Sequence, residues 1–208
     1  QETPIVDIVG EITKYADTVT SAADVPGQLE QAIHLARSGR PGPVLLDVPI
    51  DAQRADIAPG ASGSWGPIGS RYPPCGDAAS AFLRDLAGAK RPGILVGGGA
   101  RRARAEIVAF ADAHQIPVFR TWNALDVVTD DSLVYGGTVG TYGGPGRNFG
   151  LQNCDLLLVL GCRLSGRITG GMPESFARGA KLWWVDVDAG LLNPEYQPRK
   201  AEVNVNAD

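Results

Sequence analysis

Gly93-Ile94-Leu95-Val96-Gly97-Gly98-Gly99 is the stretch that decides the fold. Its apolar run is too short for a helix, is rich in branched side chains, and stops at three glycines, which together read as a buried strand followed by a tight turn. A helical pattern follows over Arg102–His114, with Ala103, Ile107, Phe110 and Ala111 turned to one side. Another precedes it from Asp77 to Ala89, with Phe82, Leu83, Leu86 and Ala89 on one face. Moving outward, strand patterns recur at Pro117–Arg120, Asp155–Leu160, Lys181–Val187 and Glu202–Val205, with a short helix near Asn148–Asn153. The residues between Arg120 and Gly146 read as a glycine-rich irregular stretch. Alternating strands and helices predict an α/β architecture: a three-layer, doubly wound parallel sheet with right-handed crossovers.

The front of the chain reads differently. Asp24 and Pro26 open a helical pattern in which Leu29, Ala32, Ile33 and Ala36 recur, and Gly39 closes it. After Gly39-Arg40-Pro41-Gly42-Pro43 comes the strand pattern Val44-Leu45-Leu46-Asp47-Val48, with no obvious partner strand upstream. One helix and one strand bury too little to stand alone, so this is a partial α/β unit. Residues 54–76 carry Ala58-Pro59-Gly60-Ala61-Ser62-Gly63-Ser64 and Tyr72-Pro73-Pro74, the composition of a linker. The expected organisation is therefore 1–53 as a partial unit, 54–76 as linker and 77–208 as the main domain.

With 208 residues, 44% hydrophobic and 20% charged, the composition is that of an ordinary globular protein. A net charge of -4 and a pI near 5.2 supply no basic field for nucleic acid or an anionic membrane. No apolar run approaches the ~20 residues of a bilayer span. Cys75, Cys154 and Cys162 form no CxxC pair, which suits reduced thiols in the cytoplasm. The chain opens at Gln1 rather than at a methionine, as an interior piece of a longer protein would.

Ligands of open parallel sheets bind beyond the carboxyl ends of the strands. Those ends carry Gly97-Gly98-Gly99, Thr121-Trp122-Asn123, Gly161-Cys162-Arg163 and Asp186-Val187-Asp188. Glycines there admit a ligand close to the backbone and leave amides for phosphate, Arg163 and Arg167 can pair with a diphosphate, and Asp186 or Asp188 can accept from ribose hydroxyls. The bland alternatives are that the triplet is only a turn and that the arginines are surface charges. Arg102 stands where the dinucleotide fingerprint needs its third glycine, so an ordinary NAD site is not supported. Trp183 and Trp184 suit a core strand, His114 a helix end, and His34 a structural place. No nucleophile elbow, HExxH, P-loop or cysteine–histidine pair is present, and Glu2 is an isolated acid, so no catalytic residue and no metal ligand is assigned.

Several stretches taken together resemble acetolactate synthase and its thiamine-diphosphate relatives. Gln1-Glu2-Thr3-Pro4-Ile5-Val6, Ile12-Thr13-Lys14 and Gly39-Arg40-Pro41-Gly42-Pro43-Val44-Leu45-Leu46-Asp47-Val48-Pro49 resemble the end of that family's pyrimidine-binding domain. Gly97-Gly98-Gly99, Gln152-Asn153-Cys154-Asp155-Leu156-Leu157, Gly161-Cys162-Arg163, Arg167-Ile168-Thr169-Gly170 and Val185-Asp186-Val187-Asp188 resemble its middle domain, in the same order. The resemblance implies a Rossmann-like middle domain that holds FAD in some members. Positions matching its flavin contacts are Gly97, Gly98, Gly99, Thr121, Arg163, Arg167, Asp186 and Asp208.

It further implies that the parent protein is a carboligase using thiamine diphosphate and Mg2+, which decarboxylates pyruvate and passes a two-carbon unit to a carbonyl acceptor. Neither of those cofactors would be bound by this segment, which alone would be inactive. Its partners would be a small keto acid and a nucleotide cofactor, and the full-length protein a homodimer or homotetramer. Ile50 stands where acetolactate synthases carry lysine, and Leu164-Ser165-Gly166 where they carry Phe-Asp-Asp. These departures resemble a side branch that adds an acetyl unit to keto-sugars of surface polysaccharides. The competing readings are a free-standing FAD- or NAD-binding module and a non-catalytic spacer domain.

Overall fold

The computed structural model describes residues 3–57, 60, 64–66 and 72–208. Within the linker expected at 54–76, residues 58–59, 61–63 and 67–71 lie outside the described residues, as do Gln1 and Glu2. Contacts divide the chain into one unit over 1–71 and another over 72–208.

The first unit contains α1 (Ile5–Val9), β1 (Tyr15–Thr18), α2 (Val25–Arg37), β2 (Val44–Asp47) and α3 (Ile50–Arg54). The expectation that β2 lacks an upstream partner is corrected: β1 pairs with it in parallel, Tyr15 opposite Val44 and Thr18 opposite Asp47. Lys14 prepares that pairing. Its amide donates to the Pro43 carbonyl at 2.8 Å, while its Nζ donates to the Ser38 carbonyl at 2.7 Å beyond the end of α2. A cation is favoured there because helix C-termini expose unpaired carbonyls. All eight strand positions are only half-buried, and Leu29 and Ile33 of the recurring apolar positions in α2 are each 48% exposed, while Ala32 is buried. The buried apolar residues described in this unit are Val19, Ala22 and Ala32.

The second unit contains α4 (Gly76–Gly88), β3 (Pro92–Val96), α5 (Arg104–His114), β4 (Val118–Arg120), β5 (Tyr135–Thr138), α6 (Pro145–Gln152), β6 (Leu156–Leu160), α7 (Gly166–Thr169), β7 (Lys181–Asp186) and β8 (Val203–Asn206). Its six strands are all parallel, in the order β5-β4-β3-β6-β7-β8. That is the doubly wound sheet expected from the alternation of patterns. Strand β5 lies within the stretch read as irregular. Gly136 and Gly137 hide it, because two glycines weaken a strand pattern.

Successive strand residues point to opposite faces, and the two faces are covered differently. Leu95, Leu157, Val159, Leu182 and Trp184 share a cluster with Leu151 of α6 and with Phe176, Ala177 and Ala180. Ile94, Val96 and Val118 share another with Ile107 and Ala111 of α5. Phe82 of α4 packs with Leu156 and Trp183, its ring meeting the indole edge-on at 5.5 Å between centroids. The adjacent Trp183 and Trp184 thus serve opposite layers. Each finds a partner for its indole N–H, Trp183 on Asp85 at 2.8 Å and Trp184 on the Cys162 carbonyl at 3.0 Å. Full burial of such a side chain stabilises by roughly 1.5–3 kcal/mol only because the polar atom is satisfied.

Candidate functional site

From β3 the chain adds β4 and β5 on one side, then returns through α6 to place β6 on the other side of β3. The order of winding reverses there, and such a switch point is where open α/β sheets bind their ligands. Four neighbouring strands, β4-β3-β6-β7, therefore set the tips singled out in the sequence side by side.

The floor of this place is two peptide segments in direct contact. Gly97 donates its amide to the Leu160 carbonyl at 2.9 Å, and Gly99 to the Gly161 carbonyl at 3.1 Å. A Cβ on Gly97 would stand 2.2 Å from the Gly161 carbonyl oxygen and 2.6 Å from the Cys162 Cα. Gly161 is left-handed, at φ 53°, with its own Cβ position 2.6 Å from the carbonyl carbon of Gly99. Glycine is thus required first for close packing, and two of the three amides expected to serve phosphate are already spent inside the protein. Gly98 is half-buried and faces the next loop, its Cβ position 3.1 Å from the Asn123 carbonyl.

Around this floor the remaining predicted residues take distinct places. Thr121 is buried at the end of β4 and donates its amide to the Val96 carbonyl at 3.0 Å. Asp186, buried at the end of β7, accepts the Asp188 amide at 3.0 Å, and the Asp188 side chain in turn accepts from Gly190 at 3.0 Å. Arg163 is exposed just beyond β6. Leu164 next to it is left-handed at φ 46° yet only 1% exposed, an unfavourable backbone held by a side chain locked in the core. Arg167, on α7, is exposed. The fold thus gathers Gly97, Gly98, Gly99, Thr121, Arg163, Arg167 and Asp186 at consecutive tips. Asp208 lies one strand further out, exposed, two residues beyond β8.

Three supports beneath the tips are not marked by the sequence pattern. The first is Arg120, only 7% exposed at the end of β4, whose guanidinium lies 4.5 Å from the Tyr135 ring centroid. It donates to Thr138 Oγ1 at 3.1 Å and the Leu125 carbonyl at 3.2 Å, and also engages the Val128 carbonyl and Asp130. That set of bonds ties down the loop that begins at Thr121. Asn148 is the second, accepting from the Gly140 amide at 2.8 Å and donating to the Gly140 carbonyl at 3.0 Å. In the third, Thr141 gives both its amide and its hydroxyl to the Arg167 carbonyl, at 2.8 and 3.0 Å. Only the turn-forming glycines around Gly140 hint at these in the sequence.

The two buried cysteines are poor nucleophiles. Burial pushes the Cys162 thiol up to about 11, with the Leu164 amide opposing and Asp186 adding to the rise, so the reactive thiolate is suppressed. Cys154 is likewise pushed up to about 11 by burial. His34 and His114 are engaged elsewhere, against the Trp65 ring at 4.7 Å and the Phe110 ring at 4.5 Å. Among the described residues no group of three or more His, Cys, Asp or Glu side chains is placed to hold a metal ion. No described helix is long and apolar enough to cross a membrane. What the tips offer is binding chemistry: exposed guanidiniums, a buried carboxylate and tightly packed glycine loops.

Residues 79–208 match the family model described as thiamine pyrophosphate enzyme, central domain. The whole chain is similar to a probable acetolactate synthase 2, chloroplastic, of Oryza sativa subsp. japonica, 36% identical over 100% of this chain and 31% of that protein. It is 34% identical to acetolactate synthase 2, chloroplastic, of Nicotiana tabacum, with the same coverage, and 35% identical to acetolactate synthase 1, chloroplastic, of Zea mays, covering 33% of that protein. The chain spans about a third of the length of these relatives.

Proposed function

The chain belongs to the thiamine pyrophosphate enzyme family, through that family's central domain, and from that premise we propose that it is the middle segment of an acetolactate-synthase-like carboligase, where it holds a nucleotide cofactor. FAD is the first candidate. The observation that carries this reading is the set of tips on β4, β3, β6 and β7, contiguous at the switch point and bearing Thr121, the glycine triplet, Arg163 with Arg167, and Asp186. These residues fit a dinucleotide by their chemistry. Gly98 lets the ligand approach the backbone, Arg163 and Arg167 meet the diphosphate, and Asp186 accepts from a ribose hydroxyl. Asp208 is assigned to the outer rim of the same edge. A bound flavin would bring a redox-capable ring, while the chain's own work is to bind it, orient it and shield it from water.

In this reading residues 1–53 are the end of the pyrimidine-binding domain, 54–76 the linker and 77–208 the middle domain. Thiamine diphosphate and its Mg2+ belong to other parts of the parent enzyme, which decarboxylates pyruvate and transfers the two-carbon unit to a carbonyl acceptor. The segment alone is inactive. The parent is a homodimer or homotetramer, and the cytoplasm is the expected setting for its three free cysteines.

A second reading, a spacer domain with no ligand, is favoured by one observation: the amides of Gly97 and Gly99 are already bonded within the protein. Calorimetric titration of the purified chain with FAD, ADP and NAD separates the two. Binding of FAD at micromolar concentration, with flavin absorbance travelling with the protein on gel filtration, supports the nucleotide site. Flat titrations with all three ligands establish the spacer instead.

A further inference from the structure

We propose that Trp122, Tyr142 and Arg167 form a stacking shelf for the planar heteroaromatic ring of a nucleotide bound across the strand tips. This rests on the nucleotide reading above and adds which residues meet the ring.

Two large aromatic side chains stand in solvent here, Trp122 at 52% and Tyr142 at 72% exposed. Trp183 and Trp184 show how this fold treats an indole it uses for packing, at 3% and 1% exposed. Trp122 is spent on no such core. Its ring instead lies 6.2 Å from that of Tyr142 at an interplanar angle of 44°, and the Arg167 guanidinium stands 5.7 Å from its centroid. The three come from three loops, following β4, following β5, and at α7 beyond β6. Their meeting is a product of the fold rather than of local sequence.

The backbones beneath these side chains are held, and the side chains brace one another through the Trp122–Tyr142 and Trp122–Arg167 contacts. The loop after β4 is tied by the Arg120 bonds and by the Ala124 amide on the Thr121 carbonyl at 2.9 Å. Gly140, next to Thr141 and Tyr142, is clasped by Asn148 on both sides, and Thr141 bonds the Arg167 carbonyl. Exposed rings on fixed supports lose little freedom when a flat partner is added, the condition for a preorganised binding surface. The shelf also adjoins the phosphate end of the site, since the carbonyl of Asn123, next to Trp122, is 3.1 Å from the Cβ position of Gly98. An indole and a phenol offer π-faces to a purine or a flavin alike, and Arg167 can serve both the ring and the nearby phosphate.

Adenine and flavin are the two sources of such a ring, and separate titrations with ADP and FMN distinguish them. Quenching of tryptophan fluorescence is followed for wild type, W122A and W122F, with thermal midpoints as a check on folding. The shelf requires W122A to weaken ADP or FMN binding at least about fivefold, the scale of one base–aromatic stack, and W122F to restore it to within about twofold. Whichever ligand responds identifies the ring. Equal affinities of wild type and W122A for both ligands overturn the shelf and leave the nucleotide reading standing. An equal loss in W122A and W122F overturns a stacking role. If wild type binds neither ADP nor FMN, shelf and nucleotide reading fall together.

Discussion

Replacing Gly97 by alanine adds one methyl group at the switch point of the sheet, where there is no room for it. The new Cβ would lie 2.2 Å from the Gly161 carbonyl oxygen, 2.6 Å from Cys162 Cα and 2.8 Å from Cys162 Cβ. The first of these is more than about 1 Å inside an ordinary non-bonded contact. Two of the three neighbours are backbone atoms, so no side chain can rotate aside. Relief requires the loops after β3 and β6 to separate. That weakens the bonds from Gly97 to Leu160 and from Gly99 to Gly161, at 2.9 and 3.1 Å. Overpacking in a core costs about 1–3 kcal/mol, and each weakened hydrogen bond about 1 kcal/mol more, for a total of roughly 3–5 kcal/mol. That is a large share of the 5–15 kcal/mol typical of a domain.

Urea unfolding followed by circular dichroism gives the measurement, with the thermal midpoint expected to fall by roughly 10–20 °C. Gly88→Ala in α4 is the control, because nothing lies within 4 Å of its Cβ position. There the change should be neutral or stabilising by up to about 1 kcal/mol. A Gly97→Ala protein within about 0.5 kcal/mol of wild type would refute the close-packing account of the glycine triplet.

Other consequences can be measured on the same protein. Arg120→Ala strands the Leu125 and Val128 carbonyls and removes the contact with Tyr135, so a loss of about 2–4 kcal/mol is expected; Arg120→Lys, with a single nitrogen, should recover less than half, and full recovery would show that charge alone matters. Reaction with a thiol reagent at pH 8 should modify Cys75 rapidly in the native protein, with Cys154 and Cys162 appearing only on unfolding. Three fast thiols would contradict the burial described. The Asp85 carboxyl is held below its usual range, chiefly by its hydrogen bond from Lys181. Its stabilising effect is therefore present above the unfolded pKa of about 4 and is lost as pH falls through the lower folded value. Asp85→Asn should flatten the acid limb of the stability profile, and an unchanged limb would remove Asp85 as a contributor.

The alternation of apolar runs with helical patterns was enough to read the main sheet, because each of β3, β4, β6 and β7 ends abruptly in glycine or polar residues. Their tips are legible as one carboxyl edge of a parallel sheet, whereas the order β4-β3-β6-β7 that sets them side by side follows only from the structure. What stayed hidden has identifiable causes. Tyr15–Thr18 carries Asp17 and Thr18 and alternates too weakly to mark a strand, and Tyr135–Thr138 is interrupted by two glycines. Arg120 reads as a charged strand terminus, whereas carbonyls drawn from the following loop allow it to be buried. The meeting of Trp122, Tyr142 and Arg167 depends on three crossovers and leaves no mark in local pattern. The glycine triplet is legible in the sequence, but its main reason, contact between two loops, follows only from the adjacency of β3 and β6.

Amide hydrogen exchange of the chain with and without FAD tests the central claim most directly, because it locates a ligand as well as detecting one. A nucleotide held at the switch point should slow exchange in the segments after β3, β4, β6 and β7, around Gly98, Asn123, Arg163 and Val187, and leave the opposite ends of those strands unchanged. Protection confined to the amino ends of the strands or to residues 3–57, or no protection at saturating FAD, would contradict it.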